Sequence, residues 1–306
     1  MEIILLIAQW AIFLTAAPLA GGLITKIKNY LRMRKGPSIT QPYYNLAKLL
    51  LKGEVVSQNA SWIFKAAPMV VLSCVIAASM LIPIFVPAGY AQYTGDIFVF
   101  IFILALGRFF LSLAGLDTAS AFGGMGSSRE MFISSMVEPV LFLSLFAISL
   151  KTATTNTEML LNIPAASVST ILAGAAILMA TLAETSRIPI DNQETHLELT
   201  MIHEAMVLEY SGPRLAMIEY ASYLKQFIFF AIIANVLWPT PIQYSTTYAQ
   251  LFMNMLMILA KISGIAACVA IIEVSIAKMR LFRAADFLLF SFALAVMATV
   301  AAALGA

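Results

Sequence analysis

The sequence predicts an all-α, polytopic membrane protein with eight transmembrane helices and cytoplasmic loops. Three observations predict it. Hydrophobic residues make up 61% of the 306 and charged residues only 11%, where a soluble domain carries roughly 25% charged residues. Apolar runs of about 20 residues recur, long enough to cross a hydrocarbon core of roughly 30 Å as helices, and too long and continuously apolar for barrel strands. Basic residues gather in alternate loops, as the positive-inside rule requires.

The elements follow in order, within a single integral membrane domain spanning 1–306. The first run, 3–22, opens "MEII" with no basic residue before it, so it is expected to remain as a span and not to be removed as a signal peptide. Segment 24–66 is the longest polar stretch. Within it, "QPYYNLAKLLLKGEVV" sets Tyr43, Leu46, Ala47, Leu50 and Leu51 near one helical face, with Lys48 and Lys52 away from it. That pattern fits an amphipathic helix lying either on lipid or on the protein, since both bury the same stripe. Spans 67–87 and 96–116 follow. Between them and span 131–150, "GLDTASAFGGMGSSREM" is expected to turn at Gly123, Gly124 and Gly126. Ser127 or Ser128 would cap the next helix, with Glu130 in its first turn. Neither Asp117 nor Arg129 has a local explanation. After span 166–184 comes the acidic loop 185–213. Pro189 redirects the chain, Asp191 and Glu194 have capping-box spacing, and Glu194 and Glu198 stand four apart, where they repel on one helical face. Spans 214–237, 249–272 and 285–304 complete the count.

Lys26, Lys28, Arg32, Arg34, Lys35, Lys48, Lys52 and Lys65 follow span 1, and Arg129, Arg187, Arg214, Lys278, Arg280 and Arg283 flank later loops on the same side; the opposite loops carry only Lys151. Segments 24–66, 117–130, 185–213 and 273–284 are therefore expected in the cytoplasm, with both termini outside. The net charge of +2 hides this sidedness.

Ionisable groups inside the bilayer cost at least about 2.5–3.5 kcal/mol and are usually functional. Glu138, next to the helix-opening Pro139, lies about two turns into its span; Arg108, Glu219, Lys225 and Lys261 lie within others; Glu184 and Glu273 stand near span ends, where snorkelling would suit them. These groups point to a proton path or to structural pairs, with Glu138–Lys225 the natural pair. Buried Glu and Lys shift their pKa readily, as a proton relay needs. Cys74 and Cys268 lie in separate spans, and CxxC, HExxH and glycine-rich phosphate loops are all absent. The chain is expected to hold no metal or redox centre of its own.

Four motifs carry a resemblance. "AETSRIPIDNQETHLEL…LEYSG" resembles a segment of the membrane subunit 1 family of respiratory complex I through Glu184, Arg187, Pro189, Asp191, Glu194, Glu198, Glu209, Tyr210, Ser211 and Gly212. "RKGPSITQPYYNLAKLLLK", with Arg34, is similar to a second family segment, with Asn45 where an acid is usual. "GSSREMFISSMVEP" matches a third through Arg129 and Glu138, and "IAKMRLFRAADFLL" a fourth through Arg280, Arg283 and Asp286. "GLDTASAFGGMGSSRE" and the mid-span Lys225–Gln226 look like the branch of group 4 membrane-bound [NiFe] hydrogenases, including the formate hydrogenlyase type. His196 replaces the middle acid of the complex I run, and "TMIHEAMV" lengthens the link to E-Y-S-G.

The resemblance implies a membrane anchor in a prokaryotic cytoplasmic membrane. Its partners would be peripheral hydrogenase and iron–sulfur subunits, antiporter-like membrane subunits and the lipid bilayer, with no nucleic acid. The [NiFe] and iron–sulfur centres would sit in those partners, and no quinone site is assigned. Proton-path or coupling roles fall to Glu138, Glu184, Asp191, Glu194, Glu198, Glu209, Lys225, Lys261 and Glu273. Structural or docking roles fall to Arg34, Arg129, Arg187, Arg280, Arg283 and Asp286. Two alternatives stay open: the quinone-chamber subunit of a complex I-like dehydrogenase, and a free-standing secondary ion transporter.

Overall fold

The computed structural model describes residues 2–57, 59–82, 95–157, 160, 163, 166–191, 201–239 and 248–305. Glu194, Glu198 and His196 lie outside the described residues. Within them, ten helices follow one another: α1 (Glu2–Leu31), α2 (Gln41–Leu50), α3 (Trp62–Leu81), α4 (Ile97–Asp117), α5 (Ala121–Thr152), α6 (Val168–Glu184), α7 (His203–Val207), α8 (Gly212–Leu237), α9 (Tyr248–Ser275) and α10 (Leu281–Ala303). Among the described residues seven helices are long and apolar enough to cross a membrane. Helix α6 is the eighth expected span. It has 17 residues, at the short end of what can cross, and packs against α5, α8 and α10 as a member of the bundle.

Helix α8 is the hub, packed against α1, α2, α3, α6 and α9. Its core face carries Phe227, Phe229 and Phe230, and Phe227 meets Phe13 of α1 edge-on at 4.9 Å between ring centroids. Helices α3 and α4 form a neighbouring pair, α5 lies between α4 and α6, and α10 covers α5 and α6.

Two helices are longer than hydropathy predicted. Nothing in "TKIKNYL" stops α1 at residue 22; it runs on to Leu31 and takes Lys26 and Lys28 with it. Helix α5 begins ten residues before the expected 131, because the glycine-rich segment is helical and not a turn. Ser120 is its N-cap, accepting from the Gly123 amide at 3.1 Å. Ser127, expected as the cap, lies inside the helix and donates to the Ser112 carbonyl at 2.9 Å. The glycines serve close approach: a Cβ on Gly123 would lie 2.3 Å from the Gly115 carbonyl, and one on Gly126 would meet Ala205 and Ile202.

The unexplained Asp117 is a cap for another helix. Its Oδ2 accepts from the Ser61 amide (2.8 Å), the Ser61 hydroxyl (2.9 Å) and the Phe64 amide (3.2 Å), closing the N-terminus of α3. The "EYSG" motif is a clasp between distant segments. Tyr210 stacks on Phe64 and donates to its carbonyl at 2.9 Å; Ser211 exchanges hydrogen bonds with the Val55 backbone; and Gly212, at φ +57°, lies against the Lys52 and Gly53 carbonyls. In helix α2, Pro42 and Leu46 are buried on the bundle, while Leu50 and the following Leu51, of the same expected stripe, are exposed.

These contacts bring the end of α1, the start of α3, the end of α4, α7, the start of α8 and the end of α9 to one end of the bundle, the basic end. Asp96, Thr155 and Trp238 mark the other.

Candidate ion-coupling site

Among the described residues six charged side chains are buried: Lys28, Arg108, Glu130, Glu184, Asp191 and Glu273. An isolated charge in such surroundings is strongly disfavoured, so partners are required. For all but Glu130 they come from distant segments of the chain and form two groups.

The first group lies at mid-bundle. Glu184, at the last residue of α6, receives both Arg108 of α4 (Nη2 to Oε1, 3.0 Å) and Lys225 of α8 (Nζ to Oε1, 3.3 Å). Arg108 also faces Glu138 of α5 across 3.5 Å. The expected Glu138–Lys225 pair is therefore replaced by two others: Arg108 takes Glu138 and shares Glu184, and Lys225 goes to Glu184. Glu138 itself is not a buried acid. Its side chain is 41% exposed on the outer surface of the bundle.

The second group lies under the turn that follows α6. Glu273 of α9 is held by Lys28 of α1 (3.0 Å) and by Arg187 (2.9 Å), whose other Nη donates to Gln226 of α8 at 3.0 Å. Burial of Glu184 and Glu273 in such pairs rules out snorkelling. Asp191, only 1% exposed, receives Lys278 at 2.7 Å and the backbone amides of Ile202 and His203 at 3.2 Å each. It fixes the start of α7 and joins the turn to the α9–α10 link, where the Met279 amide donates to the Pro189 carbonyl. A polar cavity of about 150 Å³ opens beside this group, lined by Thr25, Lys28, Arg187, Asp191, Tyr223 and Glu273.

The remaining expected residues divide. Arg129 donates to the Met201 carbonyl at 2.9 Å and so tethers the segment leading into α7. Lys261 does not join the network; it reaches the Trp238 carbonyl at 2.8 Å, at the opposite end of α8, where a cation suits the helix dipole. Glu209, Arg34, Arg280, Arg283 and Asp286 are exposed. Lys28, Lys278 and Gln226 emerge as members that the sequence offered only as topogenic charges or a branch marker. Lys28 and Glu273 are 245 residues apart, and no local pattern joins them. His203 is a further member: burial holds its imidazole below the ordinary histidine range.

The fold and site define a class: a polytopic membrane subunit whose helices enclose paired acids and bases continuous with one end of the bundle. Residues 2–303 match the family described as NADH dehydrogenase, and the chain belongs to that family. It is 32% identical over 302 residues to Hydrogenase-4 component C of Escherichia coli (strain K12), covering 97% of this chain and 95% of the relative. Formate hydrogenlyase subunit 4 of the same organism is 27% identical over 286 residues, 92% of each chain. NADH-quinone oxidoreductase subunit 8 of Rhodothermus marinus is 25% identical over 229 residues, 69% of this chain and 65% of the relative. A chain in the structure of the membrane-bound sulfane sulfur reductase, an archaeal respiratory membrane complex, shares the fold. Its TM-score is 0.80 at 18% identity, covering 97% of this chain and 99% of that one.

Proposed function

We propose that this chain is the membrane-anchoring, ion-translocation-coupling subunit of a multisubunit membrane-bound [NiFe] hydrogenase of the formate hydrogenlyase kind. Its basic end faces the cytoplasm and seats the peripheral electron-transfer arm, both termini face outward, and antiporter-like subunits adjoin it in the membrane. The carrying observation is the ladder of buried ion pairs from the Asp191–Lys278 turn to Arg108 at mid-bundle. A partner that changes charge above this turn acts directly on Asp191, paired with Lys278 of the α9–α10 link, and on Arg187, whose partners Gln226 and Glu273 lie on α8 and α9. Low local dielectric makes such pairs sensitive to one another's charge.

Two features favour the hydrogenase reading over a quinone-chamber subunit. The similarity to hydrogenase components extends over nearly the whole chain. The cavity beside Arg187 is lined by two cations and two carboxylates, a lining that suits water and ions better than an apolar ring. The nickel–iron and iron–sulfur centres would belong to the partners.

The test is purification of the intact assembly from its native membrane in mild detergent, with identification of the co-purifying chains and metal analysis. Nickel with a large hydrogenase subunit is the expected result. Flavin- and NADH-binding subunits without nickel would move the chain to the dehydrogenase reading, and a chain that purifies alone would move it to a free-standing transporter.

A further inference from the structure

A groove opens on the outer surface of the bundle between α1 and α9, and none of its lining residues belongs to either ion-pair group. Ala16, Leu19 and Leu23 of α1 form one wall, Ile262, Ser263 and Ala266 of α9 the other, and the buried Phe227 of α8 the floor. Leu19 and Ser263 are exposed at its rim. Its volume is about 210 Å³. The lining is apolar apart from Ser263, whose hydroxyl donates to the Ala260 carbonyl of its own helix at 2.7 Å, so nothing in the groove asks for a polar ligand.

At the basic end the groove stops at Ile39 of the α1–α2 link. A Cβ on Gly22 would lie 2.1 Å from the Ile39 carbonyl oxygen, so the link is laid directly on α1. It also meets α1 higher up: the Arg34 amide donates to the Asn29 carbonyl at 2.9 Å, and a Cβ on Gly36 would touch the Asn29 side chain. Lys35, between them in the chain, therefore adjoins the last turns of α1. Lys26 stands between the two points of contact, exposed, one turn beyond Leu23 on the same helical face. Among the described residues no carboxylate pairs with Lys26 or Lys35. One turn further, Tyr30 is 77% exposed, as suits an aromatic ring at the membrane–water border.

Three quantities select the occupant. From Ala16 to Lys26 the helix rises about 15 Å at 1.5 Å per residue, which is the depth of one leaflet of a core of roughly 30 Å. A single turn of helix, 5.4 Å long and about 10 Å across, fills about 400 Å³, more than the groove offers, so a partner helix does not enter it. The charge at the mouth is positive and unmatched. We propose that the groove holds one acyl chain of an anionic phospholipid from the leaflet at the basic end, with its phosphate at Lys26 and Lys35. Bilayer chains wet every outer face of the bundle; the groove gives one of them a fixed place, and the lysines select a negative headgroup. The inference rests on the chain being a membrane protein and not on the identity of its partners.

The test is photo-cross-linking of the whole assembly in phosphatidylcholine vesicles carrying a minor fraction of lipid probe. The probe is phosphatidylglycerol with a diazirine in mid-chain, compared with the same diazirine on phosphatidylcholine, and labelled positions are mapped by peptide mass spectrometry. The expected labels fall on 16–23 and 259–266, with phosphatidylglycerol favoured. Lys26→Gln should cut that preference about fivefold, the equivalent of roughly 1 kcal/mol per basic residue at an anionic surface. Ser263→Leu fills the groove and should abolish the labels there while leaving those on α10. If Ser263→Leu fails to accumulate, Ala16→Leu narrows the groove from the other wall and must have the same effect. Equal labelling by the two headgroups, or labels that survive the filled groove, overturns the proposal. So does a photo-cross-linker at Ser263 that captures another protein chain in native membranes, since the groove would then belong to a partner subunit.

Discussion

Glu184→Gln examines the centre of the ion-pair ladder. The carboxylate is 3% exposed and receives Arg108 at 3.0 Å and Lys225 at 3.3 Å. Glutamine keeps the shape and removes the charge. Arg108 then retains only Glu138, which is farther, at 3.5 Å, and 41% exposed. Lys225 loses its ion pair and faces Arg108 as a like charge. Breaking a buried pair by removing one partner costs about 3–5 kcal/mol, and here the removal takes the ion pair of Lys225 and weakens the pairing of Arg108, so the upper end is expected. At roughly 2 °C of melting temperature per kcal/mol for a chain of this size, the loss is about 6–10 °C. It is measured by thermal unfolding of the detergent-solubilised assembly. The double variant Glu184→Gln, Lys225→Gln removes the stranded cation and should recover at least half of the loss, a coupling that a double-mutant cycle isolates. A Glu184→Gln protein within about 1 kcal/mol of the parent would refute the reasoning, since the carboxylate would then have to be neutral or hydrated. So would a double variant less stable than the single one.

Further outcomes follow from the same geometry. Glu138→Gln should assemble, because the acid is partly exposed, yet ion translocation in sealed vesicles should fall severalfold; parental pumping would leave Glu138 as a structural partner of Arg108 alone. Asp117→Ala removes three hydrogen bonds from the start of α3 and should lower stability by about 1–2 kcal/mol, read as a lower melting temperature. Gly212→Ala meets both the positive φ and the carbonyls of Lys52 and Gly53, and should cost at least about 1–2 kcal/mol, with faster proteolysis in segment 52–56. With Cys74 and Cys268 replaced, a single cysteine at Asn59 should be shielded from an impermeant outside reagent in intact cells; labelling from outside would reverse the orientation.

The residues that could be read in advance and those that could not differ in a physical way. Lipid offers the backbone no hydrogen bonds, so each crossing segment must close its own, and its length and apolarity are written locally. That is why eight spans, the amphipathic α2 and the basic bias stood out in the sequence. Glu184, Arg187 and Asp191 stood out for the same reason: charges beside a run such as "STILAGAAILMATLA" need an explanation wherever they fall. Lateral neighbours are not written locally, because one apolar helix face looks much like another. Only the packed bundle decided that Glu138 faces Arg108 and not Lys225, that Lys28 travels up an extended α1 to meet Glu273, that Lys261 belongs to the far end of α8, and that Asp117 caps α3. The glycines of α5 show the limit most directly. In a sequence, Gly123 and Gly126 read as turn residues; in the fold they are helical and let α4 and the Ile202–Ala205 backbone come close. What separates the two meanings is which atoms lie within 3 Å of an absent Cβ, and those atoms arrive from other parts of the chain.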